Sequence, residues 1–539
     1  MHAARSLWFG AMLPRQKTIA CAAAAAACLA LGACARGDGA SGDARKGGSI
    51  IVGATAPPDS LDPALSRSPQ ARQALWLAYT PPLTYRRGEG AEGTEIVPGV
   101  AEKLPEVSED GTRYSFKVRE GLRYSDGTPV RASDFEHTIK RVIRLGAGGA
   151  LYAGIEGAEE YSKATAESAD ITGIEANDRE RQVTVQLTGR DATFKDRLAL
   201  GFAGMVPAKT PFEDLTDKPP PGIGPYRITE SRPQEFVMEQ TRGFDLPDIP
   251  EGNIQRITTR VVKEEEAQAR QVIEGRLDYM QGSLPVELLP EIRSKYKDRY
   301  AEHPTLSSLY FFFNQRTPPF DNEKVRKAVN LALDRQALSR LFAGRLEPRC
   351  NFVPRGLRAY RPIDPCPYGD PGMSGDPERA RQLIEDSGEK GKAVTVYADA
   401  RANHREIGRY YTGLLDKIGL DAKLKVVARL RGGRRARAQT GVVSFTADIP
   451  HPLPFMAVLE GDVLDTEVEE RLVDLAGEPD EESATEGYAD LDRVVVENAY
   501  AAPLGAQRLG TFLSERMDSE NCSLFHQVYG TDYSSLCLR

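Results

Sequence analysis

Two apolar patterns alternate along this chain, and their alternation limits the fold more than any other feature. Val325, Ala328, Val329, Ala332 and Leu333 recur at helical spacing, with Lys324, Arg326 and Lys327 outside the stripe. Ile407, Tyr410, Tyr411, Leu414, Leu415 and Ile418 form a second stripe that stops at Gly419. Glycine ends helices well because it enters left-handed conformations without a Cβ clash. Ala422, Leu424 and Val426 then alternate with lysines, the period of a half-buried strand. The same period appears at Tyr114, Phe116 and Val118, and again at Val183, Val185 and Leu187. Gly48 to Gly53 and Ser308 to Phe313 read as buried strands. Asp126-Gly127 marks a turn, and Ser133-Asp134-Phe135-Glu136 fits a capping box opening a helix to about Arg144. Interleaved helices and strands predict an α/β fold. With 539 residues, the chain exceeds what one core organises, so two or three lobes are expected.

The N-terminus carries the strongest local signal. Arg5, Arg15 and Lys17 precede an apolar stretch from Thr18 to Ala33, shorter than the roughly 20 residues of a membrane span. This is the pattern of a secretory signal peptide over residues 1–33. Met12 as the start would give a shorter leader that keeps Arg15 and Lys17. The leader ends in Leu31-Gly32-Ala33-Cys34, which resembles the lipobox of bacterial lipoproteins. That resemblance implies cleavage before Cys34 and a diacylglycerol on its thiol. Residues 34–46 are polar and glycine-rich, a flexible tether. The expected location is the outer face of the bacterial cytoplasmic membrane, with the chain anchored rather than threaded.

Net charge of -8 gives no basic footprint for nucleic acid. The cysteines Cys350, Cys366, Cys522 and Cys537 lie far from the leader, and in an exported chain they read as two disulfides. Three pairings are possible; the local one, Cys350 with Cys366 and Cys522 with Cys537, is the expectation.

The order of the segments resembles the family 5 solute-binding proteins of ABC importers, whose members bind dipeptides and oligopeptides. Gly47 to Gly53, followed by Asp59-Ser60-Leu61-Asp62-Pro63-Ala64, is similar to the family's opening strand and loop. Gly111 to Arg141 is close to its signature segment. Gly222-Ile223-Gly224-Pro225-Tyr226 resembles a family block with Ile in place of Thr. Phe313-Asn314, Val325-Arg326-Lys327-Ala328, Asp334-Arg335, Lys417-Ile418-Gly419-Leu420 and Ala447 to Pro452 match later blocks. The resemblance implies a two-lobe periplasmic-binding-protein-like fold (type II), with an extra subdomain in lobe I and two hinge crossings, near Pro304 and Pro503. Lobe I is expected over 47–79 and 220–304, its extra subdomain over 80–219, lobe II over 305–502, and a C-terminal return to lobe I over 503–539. It also implies a monomer that captures short peptides and delivers them to ABC permease and ATPase subunits.

A buried site for a zwitterionic peptide must pair the ammonium with a carboxylate, because an unpaired buried charge is costly. Asp448 sits where peptide-binding members hold that ammonium, and Phe445 stands where many have a tryptophan. Arg401 lies in the region where dipeptide-binding members place a carboxylate-pairing arginine. Thr55 and Ala56 follow the first strand, where α/β clefts form, and Asn314 follows the aromatic strand. Arg429 to Arg437 holds five arginines around Gly432-Gly433, which read as a solvated loop or a contact with an anionic surface.

No HExxH, zinc-type Cys/His spacing, Walker A loop or GxSxG elbow occurs, so no metal site, cofactor or enzymatic activity is expected. An oligosaccharide or a metal chelate such as nickel is the alternative ligand, the latter through His404 or His451. Only Trp8 and Trp76 could stack a sugar. A secreted hydrolase or a ligand sensor is the alternative class.

Overall fold

The computed structural model describes residues 46–539 except 147, 166–168, 431–432 and 479. The leader, Cys34 and the tether up to residue 45 lie outside the described residues, as does the centre of the arginine-rich loop. Among the described residues, no helix is long and apolar enough to cross a membrane.

Two sheets organise the chain. The first has five strands, in the order Tyr279–Met280, Ser49–Ala54, Arg256–Val261, Glu235–Gln240 and Tyr226–Arg232. Its opening strand pairs in parallel on both sides, with Arg256–Val261 and with Tyr279–Met280. Such a strand is buried on both faces, which is why Ser49–Ala54 reads as a continuous apolar run. Ile50 and Val52 enter one core, while Ile51 packs against another.

The second sheet places Ser307–Phe313 between Ala501–Phe512 and Thr440–Thr446. Ala393–Asp399 and Asp421–Val427 continue it in parallel. The aromatic strand splits by parity. Leu309, Phe311 and Phe313 join the core beneath helices Glu323–Ala332 and Ala402–Ile418. Tyr310 and Phe312 join the core on the other face, with Phe455 and Tyr488. Phe311 stacks on Tyr411 at 3.7 Å between centroids, joining the sheet to the predicted helical stripe. That helix ends at Gly419 with φ +104°, as its sequence requires.

The long strand Ala501–Phe512 links the two sheets. Its first half pairs with Ser307–Phe313 and its second half with Tyr300–Pro304. Leu513, just beyond it, bridges to Tyr279 of the five-stranded sheet. The chain therefore passes between the sheets on two neighbouring antiparallel strands.

A four-stranded sheet holds Arg113–Lys117 and Gln182–Gln186 and packs under helix Ser133–Leu145. That helix is not opened by a capping box. Ser133 donates its backbone N–H and its hydroxyl to Asp178, so its side chain is engaged elsewhere. Asp134 instead turns back and accepts from the N–H of Arg131, at 2.8 Å. From the last turn of the helix, Arg141 reaches the opening loop. It grips Asp62 through two hydrogen bonds of 3.1 and 2.8 Å, with both side chains essentially inaccessible to solvent. The same guanidinium donates to the carbonyls of Pro211 and Glu213. Sulfur–sulfur bonds join Cys350 to Cys366 and Cys522 to Cys537.

Candidate functional site

Ser68-Pro69 starts a short helix, Pro69–Ala78, with the Ser68 hydroxyl accepting from the N–H of Ala71 and proline in the first turn. Arg72 and Trp76 are four residues apart and so share one helix face. Both line a cavity of about 310 Å³. Leu75, Leu200, Phe202 and Tyr529 give it apolar walls, and Asp448 stands at its rim. The ring of Trp76 lies nearly parallel to Tyr529 at 4.2 Å. Behind it, the Arg87 guanidinium sits 3.3 Å from the Trp76 centroid and pairs with the buried Asp532 at 3.1 Å. The indole is therefore held between a phenol and a cation.

The C-terminal loop that supplies Val528 and Tyr529 turns on His526. Its Nδ1 accepts from the N–H groups of Val528 and Tyr529 at 3.2 and 3.3 Å. Burial, with the nearby Arg87 charge, pushes its pKa down to about 3, so the ring stays neutral and keeps that acceptor.

Asp448 comes from the other side. It follows the strand Thr440–Thr446, and its Oδ1 accepts from Arg72 at 3.3 Å. Arg72 also donates to the carbonyl of Val528. One carboxylate from the second sheet thus meets one guanidinium from the first helix across the gap. The Asp448 side chain is 80% exposed, so this pair is loosely held and free to exchange partners.

Two further cavities follow. One of about 320 Å³ shares Arg72, Val528 and Tyr529 with the first, and is lined by Gln73, Gln281 and Thr446 among others. One of about 690 Å³ shares Ser283, Gln507 and Leu509 with the second. Arg345, Arg401 and Arg508 line this last cavity. The shared walls make the three cavities adjoin; Asp448 stands with Arg67 and Arg72 in the first, and Arg345, Arg401 and Arg508 stand with Glu265 and Glu406 in the last.

The sequence-predicted residues are distributed unevenly over these cavities. Asp448 and Arg401 line opposite end cavities. Arg401 is already bonded to Asp399, with Nε at 3.0 Å from both carboxylate oxygens. Phe445 lines none of these cavities; it meets Phe455 edge-on at 5.1 Å within the second-sheet core. Thr55 and Ala56 line none of these cavities either, Thr55 lying against Gly282. Asn314 is not a cleft residue. Its amide donates to the carbonyls of Ala436 and Ala438 and its oxygen accepts from the N–H of Arg316, so its hydrogen-bonding capacity is spent within the fold.

His404 is buried and His451 half-buried, and each is pushed down to about 4 by desolvation, so both stay neutral. They lie on separate elements. The sole acidic and sulfur cluster among the described residues, Asp518 with Cys522 and Cys537, has its two sulfurs bonded to each other.

The profile of the bacterial extracellular solute-binding proteins, family 5, matches residues 95–463. The chain belongs to that family. Its members are binding proteins rather than enzymes. Dipeptide-binding protein DppE of Bacillus subtilis is 26% identical over 395 residues, 68% of this chain and 69% of that protein. A probable D,D-dipeptide-binding periplasmic protein, DdpA of Escherichia coli, is 22% identical over 84% of this chain and 87% of its own length. Among solved structures, the clavulanic acid biosynthesis oligopeptide binding protein 2 superposes with a TM-score of 0.83 at 22% identity, covering 92% of this chain and 96% of that one. The unliganded open form of the murein tripeptide binding protein MppA gives a TM-score of 0.76 at 20% identity, covering 91% and 97%. The fold is thus the α/β architecture of the periplasmic binding proteins. The family match includes Asp448 and Arg401 but neither the helix that carries Trp76 nor the loop that carries Tyr529.

Proposed function

We propose that this chain captures short peptides outside the cell and hands them to an ABC permease. The observation that carries the reading is a pair of end cavities that each hold a charged group suited to one terminus of a peptide. Asp448, beside Arg67 and Arg72 in the first cavity, suits a peptide ammonium, and Arg345, Arg401 and Arg508, beside Glu265 and Glu406 in the last, suit its carboxylate. Arg72 pairs with Asp448, and an arriving ammonium competes for the same carboxylate.

Residues of both sheets line the second cavity, so ligand contacts from both sides favour a closed arrangement. Closure turns about the paired strands Tyr300–Pro304 and Ala501–Phe512, and the closed form docks on the permease. In this account, lobe I comprises residues 47–79 and 220–304 with the subdomain 80–219, lobe II comprises 305–502, and 503–539 return to lobe I. The protein acts as a monomer, tethered by a diacylglycerol on Cys34 at the outer face of the cytoplasmic membrane.

Calorimetric titration of the leader-free protein with di- to hexapeptides, sugars and metal chelates tests the reading. Peptides bind, and Asp448→Asn weakens them about 10- to 150-fold, the worth of one charge-assisted hydrogen bond. Binding of sugars or chelates alone would overturn it. Loss of membrane association in Cys34→Ser tests the anchor.

A further inference from the structure

The cavity beside Asp448 has largely apolar walls, formed by Leu75, Leu151, Leu200, Phe202, Val528 and Tyr529. Polar side chains on the same walls already have partners within the fold. Ser66 donates its hydroxyl to Asp59 at 3.1 Å, and the Ser68 hydroxyl accepts from the N–H groups of Asp59 and Ala71. Arg67 donates to the carbonyl of Gly146, and Arg72 to the carbonyl of Val528 and to Asp448. The Tyr529 hydroxyl donates to the carbonyl of Ala199. Trp76 has Tyr529 against one face and the Arg87 guanidinium against the other, so it presents no face on which a sugar could stack. For a ligand, these walls leave apolar surface and the loosely paired Asp448 carboxylate.

Covalent geometry ties these two features together. The first side chain of a peptide leaves the same Cα as the ammonium, so its Cβ lies about 2.5 Å from the nitrogen by standard bond lengths. An ammonium held by Asp448 therefore brings that side chain to the mouth of this cavity. The main chain then continues toward the second cavity, which shares Arg72, Val528 and Tyr529 with the first. The volume is about 310 Å³. A buried apolar cavity of about 150 Å³ already takes a benzene ring, so a leucine or phenylalanine side chain fits here. A lysine or arginine side chain would add a cation beside Arg67 and Arg72, with the Asp448 carboxylate already taken by the ammonium.

Resting on the peptide reading above, we infer that this cavity is the chamber for the first side chain, and that it selects peptides beginning with a large aliphatic or aromatic residue. Asp448 reads the charge at the start of the peptide, and the helix Pro69–Ala78 and the C-terminal loop read the side chain beside it.

The test is a calorimetric panel of tripeptides with Gly, Ser, Leu, Phe, Lys or Glu first and alanine at the other positions, titrated into the leader-free protein. Leu-first and Phe-first peptides bind about 10- to 150-fold more tightly than the Gly-first peptide, the worth of burying one such side chain. The Ser-first peptide stays near the Gly-first one, and the Lys-first peptide falls below it. Phe202→Ala weakens the Phe-first peptide about threefold or more and leaves the Gly-first peptide unchanged, because it removes apolar wall and not the carboxylate. Equal affinities for the Gly-, Ser-, Leu- and Phe-first peptides, a Glu-first peptide that binds more tightly than the Leu-first one, or equal weakening of all six by Phe202→Ala would overturn the chamber while leaving peptide capture standing. Failure of every peptide to bind would overturn both.

Discussion

Replacing Asp62 by alanine strands the Arg141 guanidinium inside the protein. Both side chains are essentially inaccessible, and the Asp62 carboxylate receives two hydrogen bonds from Arg141 and one from the N–H of Ala64. Removing one partner of such a pair costs about 3–5 kcal/mol, because the remaining charge is buried without compensation. Unfolding entropy is about 2.1 cal/mol/K per residue, so roughly 490 residues unfolding together lose stability at about 1 kcal/mol per degree. The midpoint then falls by about 3–5 °C. If the subdomain of about 140 residues unfolds on its own, the same cost lowers its transition by about 10–17 °C. Differential scanning calorimetry of Asp62→Ala, Arg141→Met and the double variant Asp62→Ala/Arg141→Met reads both cases. The double variant costs less than the sum of the single changes, since it leaves neither charge alone. A shift below about 1 °C for Asp62→Ala, or strict additivity in the double variant, would refute this reasoning.

Two further outcomes follow from buried groups. Burial raises the Asp196 carboxyl to about 7, with the Tyr85 hydroxyl bonded to it at 2.9 Å. Its unfolded value is about 3.9, so the unfolded state releases the proton first and stability falls as pH rises from about 4 to 7. Asp196→Asn therefore gains on the wild type between pH 4.5 and pH 8 in urea midpoints, and a pH-independent difference would contradict this. The disulfides close short loops, with separations of 16 and 15 residues, and each contributes about 3 kcal/mol by restricting the unfolded chain. Reduction with dithiothreitol lowers the urea midpoint accordingly; a loss under about 1 kcal/mol in total would show that they do not act as staples.

The fold was legible because burial imposes period. The Ile407–Ile418 stripe and its stop at Gly419 appear where the sequence puts them; the strand after it also forms, but of its alternating residues Ala422 is buried, Leu424 half-buried and Val426 exposed. The resemblance of the opening loop and the signature segment also has a physical basis, since Asp62 of one is gripped by Arg141 of the other. The site was less legible. Asp448 and Arg401 were named from the family's pattern, and they line the first and last cavities. Arg72, Gln73 and Tyr529 were not named as cavity-lining residues, because the helix meets Tyr529 only through the return of the C-terminal loop, 456 positions from Gln73 to Tyr529. The helix start at Ser68-Pro69 was the available clue, placing Arg72 and Trp76 on one face. Asn314 misled because a single polar residue after a buried strand serves backbone as readily as ligand. Ser133 misled because Asp178, distant in sequence, claimed its hydroxyl.

The measurement closest to the central claim compares one tripeptide in three forms: free, N-acetylated and C-amidated. All three are titrated into the leader-free protein by calorimetry. If the end cavities read the two termini of a zwitterion, acetylation weakens binding about 10- to 150-fold in the wild type and has little effect in Asp448→Asn, where the carboxylate is already gone. Amidation weakens binding separately, through the arginine end. Equal affinities for the free and N-acetylated peptides in the wild type would contradict ammonium capture by Asp448, and with it the proposed roles of the end cavities.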